Sequence, residues 1–305
     1  MDKSPIEGGQ VTDTPTRQAE QQGHLGAVAV VGGGTMGVGI AYVFTLAGYE
    51  VTVVEPFEQQ RRGLVSTFDT ALAGALERAK ITGASAEAAR DRLKVVAGVS
   101  DLPGGTDLAI ETVPEQITLK REVLREMEKA GASVLATNTS AISIHLLAAS
   151  LDDPRRFLGM HFFNPVWSLP LVELIRGEAT SAATIEAART AVDRLGKQSI
   201  LVADIPGFAT SRLDMAAALE AMRMLEDGVA SADDIDQAAV LAYRHPVGPL
   251  RLSDIVGLDV RLDIARTLEA SHGPRFAPPQ ILLDKVASGE LGQKAGRGFH
   301  DWPDR

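Results

Sequence analysis

Ala27-Val28-Ala29-Val30-Val31-Gly32-Gly33-Gly34-Thr35-Met36-Gly37 is the stretch from which the fold is read. Its first five residues are an unbroken run of small and β-branched side chains, the composition of a strand covered on both faces in a parallel sheet. A glycine-rich turn follows at once. Ile40, Val43, Phe44 and Ala47 then recur at helical spacing until Gly48, which supplies a C-terminal stop. Val51-Thr52-Val53-Val54 reads as a second strand ending at Glu55. Strand, helix and strand together make one βαβ unit.

The alternation continues outward. The pattern predicts a helical region over 57–92 with a break near Thr82-Gly83, a short strand over 94–97, and a turn through Asp101-Leu102-Pro103-Gly104-Gly105-Thr106. A strand over 108–111, a charged amphipathic helix over 115–130, a strand over 133–137 and a last strand over 199–203 complete the series. Beyond Asp204-Ile205-Pro206-Gly207 the pattern turns helical. Helices are expected over 208–226, after the acidic start Ser231-Ala232-Asp233-Asp234, and from Arg251-Leu252-Ser253-Asp254 towards Ala270. This order predicts an α/β fold, a Rossmann-like doubly wound parallel sheet followed by a smaller all-helical C-terminal domain. Residues 1–25 read as a mobile polar tail, 26–205 as the nucleotide domain and 206–305 as the helical domain.

Composition narrows the function. Forty acidic residues against 30 basic ones give a net charge of −10, which disfavours nucleic acid and anionic membranes as partners. The absence of cysteine excludes disulfides, thiolate metal sites and cysteine nucleophiles. The sequence nominates no metal ligands. No apolar stretch approaches the ~20 residues of a membrane span. The first 24 residues are polar and lack the apolar core of a signal peptide, so the expected location is the cytoplasm.

Gly32-x-Gly34-x-x-Gly37 follows a strand and opens a helix, and Glu55 lies 18 residues after Gly37 (55 − 37). That context turns a weak motif into a dinucleotide fingerprint. Glycines let a pyrophosphate approach the free N–H groups and positive dipole of a helix start. An acid at the end of the second strand accepts hydrogen bonds from ribose hydroxyls and repels a 2′-phosphate, favouring NAD over NADP; Arg61 and Arg62 work against that preference. The plain alternative is a tight turn beside a solvated Glu55. FAD shares the fingerprint, but a second flavin motif is not evident.

His161 and Glu173 lie 12 residues apart, and Pro165 and Pro170 forbid a continuous helix between them. A chain reversing around Trp167 would set the two side by side. A carboxylate there fixes the imidazole tautomer and stabilises its protonated form, as a general base requires. A lone histidine on an apolar strand is more often a core residue, but the dinucleotide motif and the spaced glutamate favour a base here. His24, His145, His245, His272 and His300 show no such pattern and read as structural.

These residues, together with Asn138-Thr139-Ser140, His161-Phe162-Phe163-Asn164-Pro165, Leu171-Val172-Glu173, Asp204-Ile205-Pro206-Gly207-Phe208, His245-Pro246-Val247-Gly248-Pro249-Leu250 and Gly296-Arg297-Gly298-Phe299, closely resemble the bacterial L-3-hydroxyacyl-CoA dehydrogenases, especially the 3-hydroxybutyryl-CoA dehydrogenase branch. The resemblance spans about residues 27–302. It implies an NAD-dependent oxidoreductase with an acyl-CoA substrate between two domains, and a homodimer formed through the helical one. His161 matches the catalytic base, Glu173 its orienting partner, and Ser140 a hydroxyl that touches the substrate. Asn164 and Ser211 match substrate-side positions. Glu115, Lys120, Asn138 and Lys294 match residues near the cofactor, alongside Gly32, Gly33, Gly34, Thr35, Met36, Gly37 and Glu55. Ser211 is a departure, since the family usually has asparagine there; serine is shorter and carries one polar group instead of two. Related dehydrogenases of carnitine or sugar acids, and non-catalytic crystallin-like proteins, are the alternatives that the resemblance leaves.

Overall fold

A computed structural model of the chain describes residues 25–303, so the polar tail read at the N-terminus lies, apart from Leu25, outside the described residues. Two compact units emerge among the described residues: 25–139 with 144–201, and 140–143 with 202–303.

The first unit is built on β1 (Ala27–Val31), β2 (Glu50–Val54), β3 (Leu93–Val96), β4 (Leu108–Glu111), β5 (Val134–Thr137), β6 (Phe157–Phe162), β7 (Leu171–Arg176) and the start of β8 (Gln198–Ala203), which runs two residues past the end of the unit. They form one sheet in the order β3-β2-β1-β4-β5-β6-β7-β8. From β3 to β6 every pair is parallel, whereas β6 and β7 run antiparallel. The expected parallel sheet therefore carries one antiparallel step, because Pro165 and Pro170 turn the chain straight back instead of through a crossover helix. β1 is buried along Val28–Val31, as its composition demands.

Helices α1 (Thr35–Leu46), α2 (Glu58–Glu77), α3 (Gly83–Asp91), α4 (Ile117–Lys129), α5 (Ile144–Ala148) and α6 (Ala182–Arg194) belong to this unit. α1 buries eight of its twelve residues, and Phe44 packs edge-on against Tyr49 at 5.2 Å and Phe162 at 6.4 Å. The expected break near Thr82 is the N-cap of α3, where the Thr82 hydroxyl accepts from the Ser85 N–H at 3.1 Å.

The second unit holds α7 (Thr210–Glu226), α8 (Ala232–Tyr243), α9 (Pro249–Val256), α10 (Leu258–His272) and α11 (Gln280–Ala287) around a core that includes Met215, Leu219, Leu250 and Leu268. The single helix expected from Arg251 towards Ala270 is two. It starts earlier, at Pro249, and Gly257 at φ 103° interrupts it with a conformation a helix excludes. His300 is a buried histidine of the helical core whose partner no local sequence pattern shows. Its side chain is buried 2.9 Å from Asp236, whose other contacts are the Leu250 and Arg251 N–H groups at the start of α9. His145 is exposed and lies 3.8 Å from Glu178, His272 meets the Pro206 carbonyl at 3.0 Å, and His24 lies outside the described residues.

Candidate active site

The carboxyl ends of parallel strands, where ligands bind in doubly wound sheets, carry most of the nominated residues of the first unit. At the end of β1, Gly32 takes φ +116° and donates to the Val54 carbonyl at 2.9 Å. A Cβ on Gly37 would come within 1.9 Å of the Gly32 carbonyl oxygen, so that glycine is required by the turn itself. Gly34 differs. It is the N-cap of α1, and a Cβ there would meet nothing within 4 Å among the described residues. No side chain caps α1, and its first turn carries no acid. The helix start thus presents N–H groups below open space, which fits the pyrophosphate of a dinucleotide. Thr35 is exposed there and Met36 half-buried.

Glu55 leads out of β2 and is buried. Its carboxylate accepts from the Gly33 N–H at 2.9 Å and the Phe57 N–H at 3.0 Å, so it holds the glycine turn as well as the strand end. Arg61 donates to the Glu55 and Pro56 carbonyls at 2.8 Å, and exposed Arg62 pairs with Glu58. Both arginines counted against NAD are committed to contacts within the chain.

The ends of β4 and β5 form a ring of hydrogen bonds. Lys120 donates to both Glu111 oxygens at 3.0 Å, to the Val113 carbonyl at 3.1 Å, and lies 3.1 Å from Glu115. Thr137 donates to Glu111, Thr139 donates to Glu115, and the Thr139 N–H reaches the Thr137 hydroxyl at 3.2 Å. Burial pushes the Glu111 carboxyl above the ordinary carboxylate range, against the pull of Lys120, Thr137 and the Val113 N–H. Glu111, Thr137 and Thr139 were not singled out from sequence. A signal was present in α4, where Lys120, Leu124 and Met127 share the buried stripe, and a lysine in such a stripe needs an acid opposite it.

Asn138 sits within this ring and accepts from the Phe162 N–H at 2.8 Å, tying the end of β5 to β6 next to His161. His161 and Glu173 are direct cross-strand partners in the β6–β7 register. The imidazole Nδ1 lies 2.8 Å from a Glu173 oxygen, both side chains are buried, and the Phe163 ring stands 4.4 Å from the imidazole. The reversal around Trp167 does bring the pair together. Asn164, in the connection that follows β6, is exposed.

The other nominated residues belong to the second unit. Ser140 is exposed just beyond β5, and Ser211 is half-buried in the first turn of α7. Lys294 lies 2.6 Å from both oxygens of Asp259. Among the described residues no cluster of potential metal ligands occurs, and no helix is long and apolar enough to cross a membrane.

Comparison with known proteins agrees with this geometry. The family model "3-hydroxyacyl-CoA dehydrogenase, NAD binding domain" matches residues 27–205, and "3-hydroxyacyl-CoA dehydrogenase, C-terminal domain" matches 207–302. The chain is 43% identical over 286 residues to a 3-hydroxybutyryl-CoA dehydrogenase of Mycobacterium tuberculosis, covering 90% of this chain and 98% of that one. It is 38% identical over 278 residues to a 3-hydroxybutyryl-CoA dehydrogenase of Bradyrhizobium diazoefficiens, covering 90% and 94%. The crystal structure of (S)-3-hydroxybutyryl-CoA dehydrogenase from Ralstonia eutropha superposes with a TM-score of 0.87 at 37% identity, covering 91% of this chain and 99% of that one. With a glycine-rich turn at the start of α1, a buried histidine–glutamate pair and family-model matches over residues 27–205 and 207–302, the chain belongs to the 3-hydroxyacyl-CoA dehydrogenase family.

Proposed function

We propose that the protein catalyses the reversible oxidation of a short-chain L-3-hydroxyacyl-CoA to the 3-oxoacyl-CoA, with NAD as hydride acceptor. The His161–Glu173 contact at 2.8 Å carries the reading. Glu173 accepts from Nδ1–H, and that tautomer puts the basic lone pair of the imidazole on Nε2. Nε2 takes the proton of the substrate 3-hydroxyl. Bound NAD supplies the nicotinamide carbon to which the hydride from C3 is transferred. As the imidazole becomes positively charged, the buried carboxylate stabilises it, and in the reverse direction His161 returns the proton to the carbonyl oxygen. Proton transfer of this kind is worth about 10²–10⁴ in rate.

The turn at Gly32, Gly33, Gly34, Thr35, Met36 and Gly37 receives the pyrophosphate, and Glu55 the adenosine ribose. The engagement of Arg61 with carbonyls supports NAD over NADP. Asn138 and Glu115 face the cofactor in this reading, while Lys120, buried against Glu111, acts by holding Glu115. Ser140, Asn164 and Ser211 on the substrate side, and Lys294 on the cofactor side, enter on the family resemblance. A homodimer through the helical unit is supported by large apolar side chains standing in water, with Leu213 72%, Leu241 74% and Tyr243 75% exposed. The boundary between the two functional domains is placed near Pro206 in this reading.

The test is loss of NADH absorbance with acetoacetyl-CoA, repeated with NADPH and with free acetoacetate. Turnover that requires both CoA and NADH is expected. Reduction of free acetoacetate at the same rate would replace the substrate class with a hydroxy acid that lacks CoA.

A further inference from the structure

The segment joining β6 to β7, residues 163–170, is held from two sides. On one side it packs on α1. Val166 is buried so closely against Gly39 that a Cβ on that glycine would lie 2.7 Å from a Val166 methyl, and Trp167 meets the Tyr42 ring edge-on at 5.8 Å. On the other side stands Lys197, the residue before β8. Its ammonium donates to the Val166 carbonyl at 2.6 Å and the Leu169 carbonyl at 2.7 Å, and the next residue, Gln198, donates its N–H to the Pro170 carbonyl at 2.7 Å.

Lys197 is buried, and its hydrogen-bond partners among the described residues are backbone carbonyls, with no carboxylate beside them. Burial alone pulls its ammonium below the ordinary lysine range. Taking an ammonium out of water costs several kcal/mol unless good geometry offsets it. Satisfying the buried Val166 carbonyl explains only part of that cost, since the second acceptor belongs to Leu169, an exposed residue whose carbonyl water could serve instead. What the cation adds is a fixed position over α1 for the two carbonyls, of Val166 and Leu169, that bracket the turn.

We propose that Lys197 is a positioning residue of the reaction centre: it clamps the β6–β7 connection onto α1 and thereby fixes where His161 and Glu173 stand relative to the nucleotide-binding helix. The inference rests on His161 acting as the base. A displacement of about 1 Å in a reacting group can cost on the order of 100-fold in rate, so a clamp at this joint acts on turnover without touching the substrate.

Lys197→Met and Lys197→Gln test it, each compared with wild type and with His161→Gln. Two readouts are taken: amide hydrogen exchange, and steady-state reduction of acetoacetyl-CoA with NADH deuterated at the transferred position. In Lys197→Met, exchange at Ser168 and Leu169 is expected to speed by about tenfold while β1 is unchanged. kcat should fall by about 30-fold with NADH affinity within about threefold of wild type, and with a larger isotope effect. Lys197→Gln keeps two N–H donors on a shorter arm and should recover part of the lost rate. If the methionine variant does not fold, the glutamine variant alone is expected to show the same confined exchange and about a fivefold loss of kcat. Wild-type kcat in a folded variant, or faster exchange spread evenly over the unit, overturns the proposal. A wild type without turnover, or a fully active His161→Gln, would instead defeat the reading of His161, whatever the exchange data show.

Discussion

Lys120 and Glu111 form a closed ion pair in the interior, with the ammonium 3.0 Å from each carboxylate oxygen and the residues 1% and 0% exposed. Breaking such a pair from one side strands a buried charge and costs about 3–5 kcal/mol. In Lys120→Met the stranded group is Glu111, whose carboxyl burial already holds above the ordinary range and which then loses its strongest opposing pull. A folded carboxyl with a raised pKa binds its proton more tightly than the unfolded one. Its favourable contribution is therefore full below the ordinary carboxylate pKa and is lost as pH rises through the raised one. The melting temperature of Lys120→Met should fall further behind wild type as pH is raised from the ordinary carboxylate range through neutrality. Parallel melting curves across that range would show that the variant's Glu111 stays ionised.

Two glycines of the same motif should fail in opposite ways. Gly37→Ala drives a Cβ into the Gly32 carbonyl and should lower thermal stability severely, because backbone cannot move aside. Gly34→Ala adds a methyl to open space at an N-cap with φ −74°, so its cost to folding should stay under about 1 kcal/mol. Its effect belongs to the ligand: NADH affinity should weaken by at least about tenfold, as the methyl meets the pyrophosphate. Calorimetry of both variants with and without NADH separates the two. A Gly34→Ala protein with wild-type affinity would place the phosphates elsewhere.

What could be read in advance followed from local rules. β1 announces itself because a strand buried on both faces admits little but small and β-branched residues, and the His161–Glu173 pair because two prolines forbid the helix that would separate them. The antiparallel register that sets those two side chains opposite one another follows from the same reversal. Contacts made by the tertiary fold were not legible. Glu111 looks like an ordinary strand end until α4 brings Lys120 over it, and His300 finds Asp236 across 64 residues of chain. Lys197 reads as a solvated charge in Leu195-Gly196-Lys197-Gln198, and only the path of the β6–β7 connection buries it. The break at Gly257 was missed because its neighbours on both sides, Ile255-Val256 and Leu258, keep the helical apolar pattern running.

Removing the imidazole should separate chemistry from binding. His161→Gln keeps a polar side chain on β6 but offers no base, so kcat should fall by about 10²–10⁴ while NADH affinity stays close to wild type. Glu173→Gln should fall less, since the amide can still orient the ring but does not stabilise its charge. Stopped-flow reduction of acetoacetyl-CoA measures both. A fully active His161→Gln would remove the proton-transfer step from this pair.

Ser211, where the family resemblance leads one to expect asparagine, sits half-buried in the first turn of α7. Ser211→Asn restores a longer side chain with two polar groups. If the serine is a tolerated variation on the family site, the variant should keep kcat/KM for acetoacetyl-CoA within about tenfold of wild type. A total loss would mean that the substrate side of this enzyme is built around the smaller residue.

Arg261 on α10 is 1% exposed, and only Nη1 finds partners, Asp214 and the Met215 sulfur at 3.4 Å. Nε and Nη2 are buried with no hydrogen-bond partner among the described residues. Each unsatisfied donor costs about 1–3 kcal/mol, whereas a partly exposed ion pair returns about 1 kcal/mol or less. Asp214 is open enough to water, with 35% of its side chain exposed, to stay hydrated without the arginine. Burial therefore outweighs pairing. Arg261→Met, which fills much of the same volume with apolar atoms, should raise the melting temperature by about 2–4 °C. A drop of that size would mean that the guanidinium is held by more than the Asp214 contact, and that the two nitrogens meet water or another chain in solution.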